Sequence, residues 1–259
     1  MNLVEVYATV SDRQGQPVAG LSAADFQVAE DGAVQHVTAF AAGELPLAVA
    51  IALDRSFSMG GAGNRLAIAK SAARTFIGAL RPVDQVMVVA IGSETEVAAP
   101  LSSDRRLALA AIDRLDAWGT TPLYDATLVA LDAIQSGKGR RALLLLSDGT
   151  DRYSDTSASV LVEQARRRDV LVYPIALGSA RPPVFAELAA ATGGRSFFAR
   201  EPRELESIVT AIARELRLQY LLGYVPSRAP IPEPSWHQID VTVNRAGLLV
   251  RARDGYVGR

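Results

Sequence analysis

The sequence predicts an α/β fold: a doubly wound, mostly parallel, Rossmann-like sheet flanked by helices, with a small β module beside it. Three observations carry this expectation. From Pro46 onward, apolar runs such as Leu47-Ala48-Val49-Ala50-Ile51-Ala52-Leu53 and Leu143-Leu144-Leu145-Leu146 alternate with helical patterns, as parallel strands covered on both faces do. Both ends of the chain read as β instead. With 259 residues, 49% of them hydrophobic, the chain can bury a core large enough for such a sheet.

Taken in order, residues 3–10 are rich in β-branched and aromatic residues, and Asp12-Arg13-Gln14-Gly15-Gln16-Pro17 follows as a turn, so strand-turn-strand is the simple reading. Phe26 and Val28 alternate with polar neighbours, Glu30-Asp31-Gly32 signals a hairpin, and Val34, Val37 and Phe40 lie on the returning segment. Leu66, Ala69, Ala73, Phe76, Ile77 and Leu80 share one face of a helix that ends near Pro82. A strand over 86–91 follows, with 94–101 as its hairpin partner. Helices are expected over 104–115, 122–135, 157–168, 184–192 and 204–218, and strands over 142–146, 170–177 and 196–199. The strand pattern returns in 219–225; after the Pro-rich loop 226–234 it resumes in 239–243 and 248–253. Neither end makes a stable sheet of many strands alone, so the expected organisation is a β segment over 1–43, an α/β domain over 44–218 and a β segment over 219–259 that pairs with the first.

Formal net charge is -1, from 27 basic and 28 acidic residues, so no global field draws the chain to nucleic acid or to an anionic membrane. No apolar stretch reaches spanning length. Without cysteine there are no disulfides and no thiolate metal sites; His36 and His237 are far apart and show no partner at ligand spacing, so zinc chemistry is not expected.

In an open parallel sheet, ligands bind beyond the carboxyl ends of the strands. Three oxygen-bearing sets fall there: Asp54, Ser56 and Ser58 in Asp54-Arg55-Ser56-Phe57-Ser58; Thr120-Thr121 in Trp118-Gly119-Thr120-Thr121-Pro122-Leu123-Tyr124-Asp125-Ala126; and Ser147-Asp148-Gly149. Singly, each is a turn or a helix cap as readily as a site. A carboxylate and two hydroxyls at alternate positions can also converge on a hard cation, which prefers oxygen donors. Asp125 falls in a first helical turn, where local hydrogen bonding is the expected, structural role. Asp151 and Asp155 suit a solvated polar loop better than a second cation site.

Together and in this order, the three sets resemble the metal-ion-dependent adhesion site of von Willebrand factor A-type domains. The resemblance implies that Ser56 and Ser58 are direct hydroxyl ligands, that Thr121 joins them in the partner-bound state, and that Asp54 and Asp148 hold the ion directly or through water. The implied cofactor is a divalent cation, magnesium first, with calcium or manganese as alternatives. Alignment to Thr-Pro-Leu-Tyr-Asp selects Thr121 over Thr120. Three positions depart from the common pattern: Arg55 and Phe57 stand where small residues are usual, and Thr120 where a second glycine is common. Arg55 and Phe57 either flank the metal face and touch a partner or serve the surface and the packing under the loop.

The flanks, including 21–32, Phe197-Phe198, Gln219-Tyr220-Leu221-Leu222-Gly223-Tyr224 and 250–256, resemble a bacterial subgroup abundant in Acidobacteria. Its members commonly look exported, which implies an extracytoplasmic location (secreted, periplasmic or cell surface) with the leader missing here; a cytoplasmic one is the alternative. The function expected is cation-dependent, adhesion-type protein binding, the partner being a protein or glycan-bearing surface that presents an acidic residue. No catalytic residue is assigned. A metal-assisted hydrolase or phosphotransferase is the alternative, opposed by the absence of a second acid two residues after Asp54 and of a histidine near the three loops. A third reading makes the metal structural and the β module the docking element.

Overall fold

The computed structural model describes residues 3–43, 45–61, 63–178, 180–227 and 234–258. The N-terminal segment forms β1 (Val4–Ser11), β2 (Phe26–Glu30), β3 (Ala33–Gln35) and β4 (Val37–Ala42). The central unit contains β5 (Leu47–Asp54), β6 (Gln85–Ile91), β7 (Glu96–Ser102), β8 (Arg140–Ser147), β9 (Leu171–Leu177) and β10 (Phe197–Ala199). Its helices are α1 (Phe57–Gly60), α2 (Arg65–Ala79), α3 (Arg105–Arg114), α4 (Leu123–Ala133), α5 (Ala158–Arg166), α6 (Pro183–Thr192) and α7 (Pro202–Arg217). The chain continues with β11 (Tyr220–Tyr224), β12 (Ser235–Val243), β13 (Leu249–Arg251) and β14 (Gly255–Gly258).

The central sheet has the order β10-β9-β8-β5-β6-β7, parallel except for the edge strand β7. All eight residues of β5 are buried, because helices cover both faces. Side chains alternate across a strand, so β5 feeds two cores. Val49, Ile51 and Leu53 pack with Phe76 and Ile77 of α2, Ile112 of α3 and Val209 of α7. Ala48, Ala50 and Ala52 lie on the other face with Leu131 of α4, Leu161 of α5 and Leu188 of α6. Helix starts follow local chemistry: Asp104 accepts from the Arg106 amide and Ser157 from the Val160 amide, as capping side chains do. α2 stops before Arg81-Pro82, since proline disfavours helix at the residue preceding it.

The two ends of the chain interleave in two antiparallel sheets of four strands, ordered β13-β1-β11-β4 and β14-β12-β2-β3. Val6, Val10, Phe26, Val28, Tyr220, Leu222, Tyr224 and Ile239 fill a shared core between them. Two local expectations fail here. The turn at 12–17 leads to an isolated Ser11–Pro17 bridge and not to a second strand, because the Asp12 carboxylate accepts from the Gln14 and Gln16 amides and closes the turn on itself. The returning segment is not one strand: it breaks at His36, β3 pairing with β2 and β4 with β11 in the other sheet. In the Pro-rich loop, 228–233 lie outside the described residues, as do Glu44 and Ala62.

α7 runs almost directly into β11, and its last turns are tied to both units. Buried Glu215 accepts from the Tyr173 hydroxyl of β9 at 2.9 Å and pairs with Arg251 of β13 at 2.7 Å. Removing one partner of a buried, hydrogen-bonded ion pair strands the rest. Glu215→Ala should therefore cost about 3 kcal/mol in urea unfolding; an unchanged midpoint would show that this tie contributes nothing.

Candidate functional site

Parallel pairing of β5 with β8, Leu53 opposite Leu146, delivers Asp54 and Ser147 to the same edge of the sheet. The Asp54 carboxylate is withdrawn from solvent. One oxygen accepts from the Ser56 amide at 2.9 Å; the other accepts from the Ser147 hydroxyl at 2.6 Å, whose oxygen in turn accepts from the Gly149 amide at 2.9 Å. The hydroxyls of Ser56 and Ser58 lie 3.1 Å apart. Backbone bonds pin this loop: Arg55 amide to Ile91 carbonyl at 2.9 Å, Trp118 amide to Arg55 carbonyl at 2.6 Å, and Phe57 amide to Gly119 carbonyl at 3.0 Å. Gly119 has φ +84°, and a Cβ there would strike the backbone and side chain of Ser93.

The two threonines part company. The Thr120 amide donates to the Ser93 hydroxyl at 3.0 Å, and the two hydroxyls are 3.4 Å apart. Thr121 is buried, with its carbonyl accepting from the Arg152 amide at 2.7 Å. Asp148 accepts from the Thr150 amide at 3.0 Å, and its other oxygen lies 3.8 Å from the Arg65 guanidinium, which also donates to the Ser58 carbonyl at 3.4 Å.

Burial pushes the Asp54 carboxyl above its ordinary 3.8; the Ser147 and Ser56 hydrogen bonds pull it back, and the Asp148 charge adds to the rise. Among the described residues no lysine or arginine pairs with Asp54. A dehydrated carboxylate with a second acid close by and serine hydroxyls beside it fits a hard divalent cation, which would supply positive charge there.

The remaining candidates lie around this centre. Arg55 turns sideways, its guanidinium over the Trp118 ring at 5.4 Å and 3.6 Å from Glu96, whereas Phe57 projects outward with 66% of its surface exposed. Asp125 accepts from the Asp155 and Thr156 amides at 2.8 and 3.1 Å; hydrogen bonds from Thr156 and Asp155 hold its carboxyl below the ordinary value. Asp151 accepts from the Ser154 hydroxyl and the Tyr124 amide, closing the same loop. In the outer sheets, Glu30, Asp31 and His237 converge within 4.8 Å; the His237 ring meets Asp31 and Ser235, and Glu30 accepts from Tyr224 and Tyr256. Sequence reasoning missed this group because Asp31 and His237 are 206 positions apart. It also missed the parts played by Ser93, by Arg65 and by the Ser147 hydroxyl, of which only Ser147 stood inside a motif.

Residues 49–150 match the family model described as von Willebrand factor type A domain. These residues are similar to von Willebrand factor type A domains. Solved structures agree on the fold. The von Willebrand factor type A protein of Catenulispora acidiphila has 16% identity and a TM-score of 0.61, the match covering 97% of this chain and 74% of that one. The conserved hypothetical protein BatB of Bacteroides thetaiotaomicron has 19% identity and a TM-score of 0.54, covering 66% and 98%. The corresponding domain of the type V pili tip protein Mfa5 of Porphyromonas gingivalis has 13% identity and a TM-score of 0.57, covering 66% and 95%. At such identities the likeness is one of fold. No curated protein matches the chain.

Without a cation, the chain holds the Asp54 proton more readily folded than unfolded. Its contribution to stability is therefore lost as pH rises from 3.8 through the raised folded value. In urea unfolding of metal-stripped protein, Asp54→Asn should gain on the wild type across that window. A difference independent of pH would mean that Asp54 keeps its ordinary value in the fold.

Proposed function

We propose that this chain is a divalent-cation-dependent, adhesion-type binding module whose metal-ion-dependent adhesion site captures an acidic residue of a partner protein. The observation that carries the reading is Asp54, a fully buried carboxylate to which no described lysine or arginine is paired, beside the close hydroxyls of Ser56 and Ser58. Asp54, Ser56, Ser58, Thr121 and Asp148 would hold the ion. Thr121 is preferred because the Thr120 hydroxyl is already turned to Ser93. A bound magnesium, or calcium or manganese on the same donors, would offer an open coordination position to a partner's carboxylate. The chain's own residues fix where that happens: Ser147 orients Asp54, and the pinned loop holds the two serines.

A protein partner is favoured by the exposed aromatics of the loops around the site, Phe57, Trp118 and Tyr153, since aromatic side chains are enriched in protein interfaces. We read the role as non-enzymatic because the site's carboxylates and hydroxyls are all assigned to holding the ion; the site's residues include no histidine, and His237 is engaged with Asp31. We assign the chain to the exported bacterial subgroup that its flanks resemble, and treat 1–43 and 219–259 as one module beside 44–218. An extracytoplasmic location follows from that assignment. No helix of the described residues is long and apolar enough to cross a membrane.

The test is calorimetric. Magnesium added to metal-stripped wild type should give a saturable heat, and Ser56→Ala with Ser58→Ala should weaken that binding by about tenfold or more, roughly 1.4 kcal/mol. Equal affinity in the double variant would overturn the site.

A further inference from the structure

A cleft of about 370 Å³ opens beside the site, and Arg65 belongs to both. Its guanidinium lies 3.8 Å from Asp148 and bonds the Ser58 carbonyl, while its side chain also lines the cleft. The floor is apolar: Ile68 of α2, Leu177 at the end of β9, Ala199 of β10 and Leu205 of α7. The rim is cationic. Arg65 and Arg200 stand there, and the one acid lining the cleft among the described residues, Glu201, is paired with Arg203 at 2.7 Å. Gly178, at φ +138°, holds a backbone conformation that favours glycine, and the Arg65 guanidinium packs beside it.

We infer that this cleft reads the partner residue next to the captured acid, taking a medium-sized apolar side chain while Arg65 and Arg200 favour an acidic segment. The inference rests on the proposed cation site and adds a specificity determinant to it. The Arg65 side chain links the two, lining the cleft and lying 3.8 Å from Asp148. Alternate residues of an extended chain lie about 7 Å apart, so one segment can reach both places. The charge on the rim selects against basic segments, because like charges meeting at an interface oppose association. The apolar floor supplies the other half of the selection, since a side chain placed there leaves water. In this arrangement Arg65 is a positioning residue for the partner and stays outside the oxygen donor set.

The test uses a displayed peptide library with one fixed central aspartate and randomised flanks, selected on the full-length chain in magnesium and eluted with chelator. Leucine, isoleucine, methionine or phenylalanine should be enriched within two positions of the aspartate. For the enriched peptides, Arg200→Glu should weaken binding about tenfold, while magnesium affinity measured by calorimetry stays the same, because Arg200 lines the cleft and is not assigned to the cation site. Arg200→Ala, the milder variant, should show a smaller loss in the same direction. Random flanks, or peptide binding unchanged in Arg200→Glu, would overturn the inference and leave the cation site standing. Absence of magnesium binding by the wild type would overturn both.

Discussion

β5 is a central strand of a sheet covered on both faces, and it ends on a carboxylate withdrawn from the surface. Burying a charge without a partner is costly, and proteins meet that cost by hydrogen bonding, by protonation or by an ion. Around Asp54 the first is visible and incomplete. Two donors are used, an amide and a hydroxyl, and burial still holds the carboxyl above its ordinary range. The remaining features follow from that constraint. Ser147 needs the parallel register of β5 and β8 to reach Asp54, and the loop from Arg55 to Ser58 needs Ile91, Trp118 and Gly119 to fix it.

Much of this was legible in the chain. The alternation of apolar runs and helical periods marks the central sheet, because parallel strands and their covering helices each carry a local signature. The order of the three oxygen-bearing loops marks the edge at which they meet. What stayed hidden depends on pairing between distant segments. Val34, Val37 and Phe40 read as one strand, yet the partners of β3 and β4 lie in different sheets, and nothing local to His36 announces the break. Arg65 reads as an ordinary first residue of a helix, and its place between Asp148 and Gly178 exists only after β8 and β9 are aligned. Thr120 and Thr121 are equivalent by type, and the Ser93 hydroxyl from another loop separates them.

The opposite edge of the sheet is polar in a different way. Arg140, at the start of β8, is buried; burial draws its guanidinium down to about 10, and it donates to Gln219 and to the Leu45 carbonyl. Gln219 in turn donates to Thr9 of β1, so the tie reaches the outer sheets. Nearby, buried Asp84 accepts from the Leu47 and Arg81 amides and lies 3.8 Å from Arg217. An eight-residue strand spans about 26 Å, which sets this network well away from Asp54. The docking of the outer sheets and the candidate cation site therefore occupy opposite ends of the same strands.

α7 is the element that belongs to both ends. Sixteen residues of helix extend about 24 Å, enough to run the height of the sheet. Leu205 lines the cleft beside Arg65, while Glu215 bonds Tyr173 and Arg251 and Arg217 donates to the Ala79 carbonyl. Val209 and Ile212, between these points, are fully buried in the core shared with α2. A helix held by packing along its length and by buried ionic contacts at one end cannot slide without breaking both. The wall it gives to the cleft is thus set by the interior of the central α/β unit. A surface built that way can discriminate among side chains, because the cost of an ill-fitting one falls on the partner and not on a loop free to move aside.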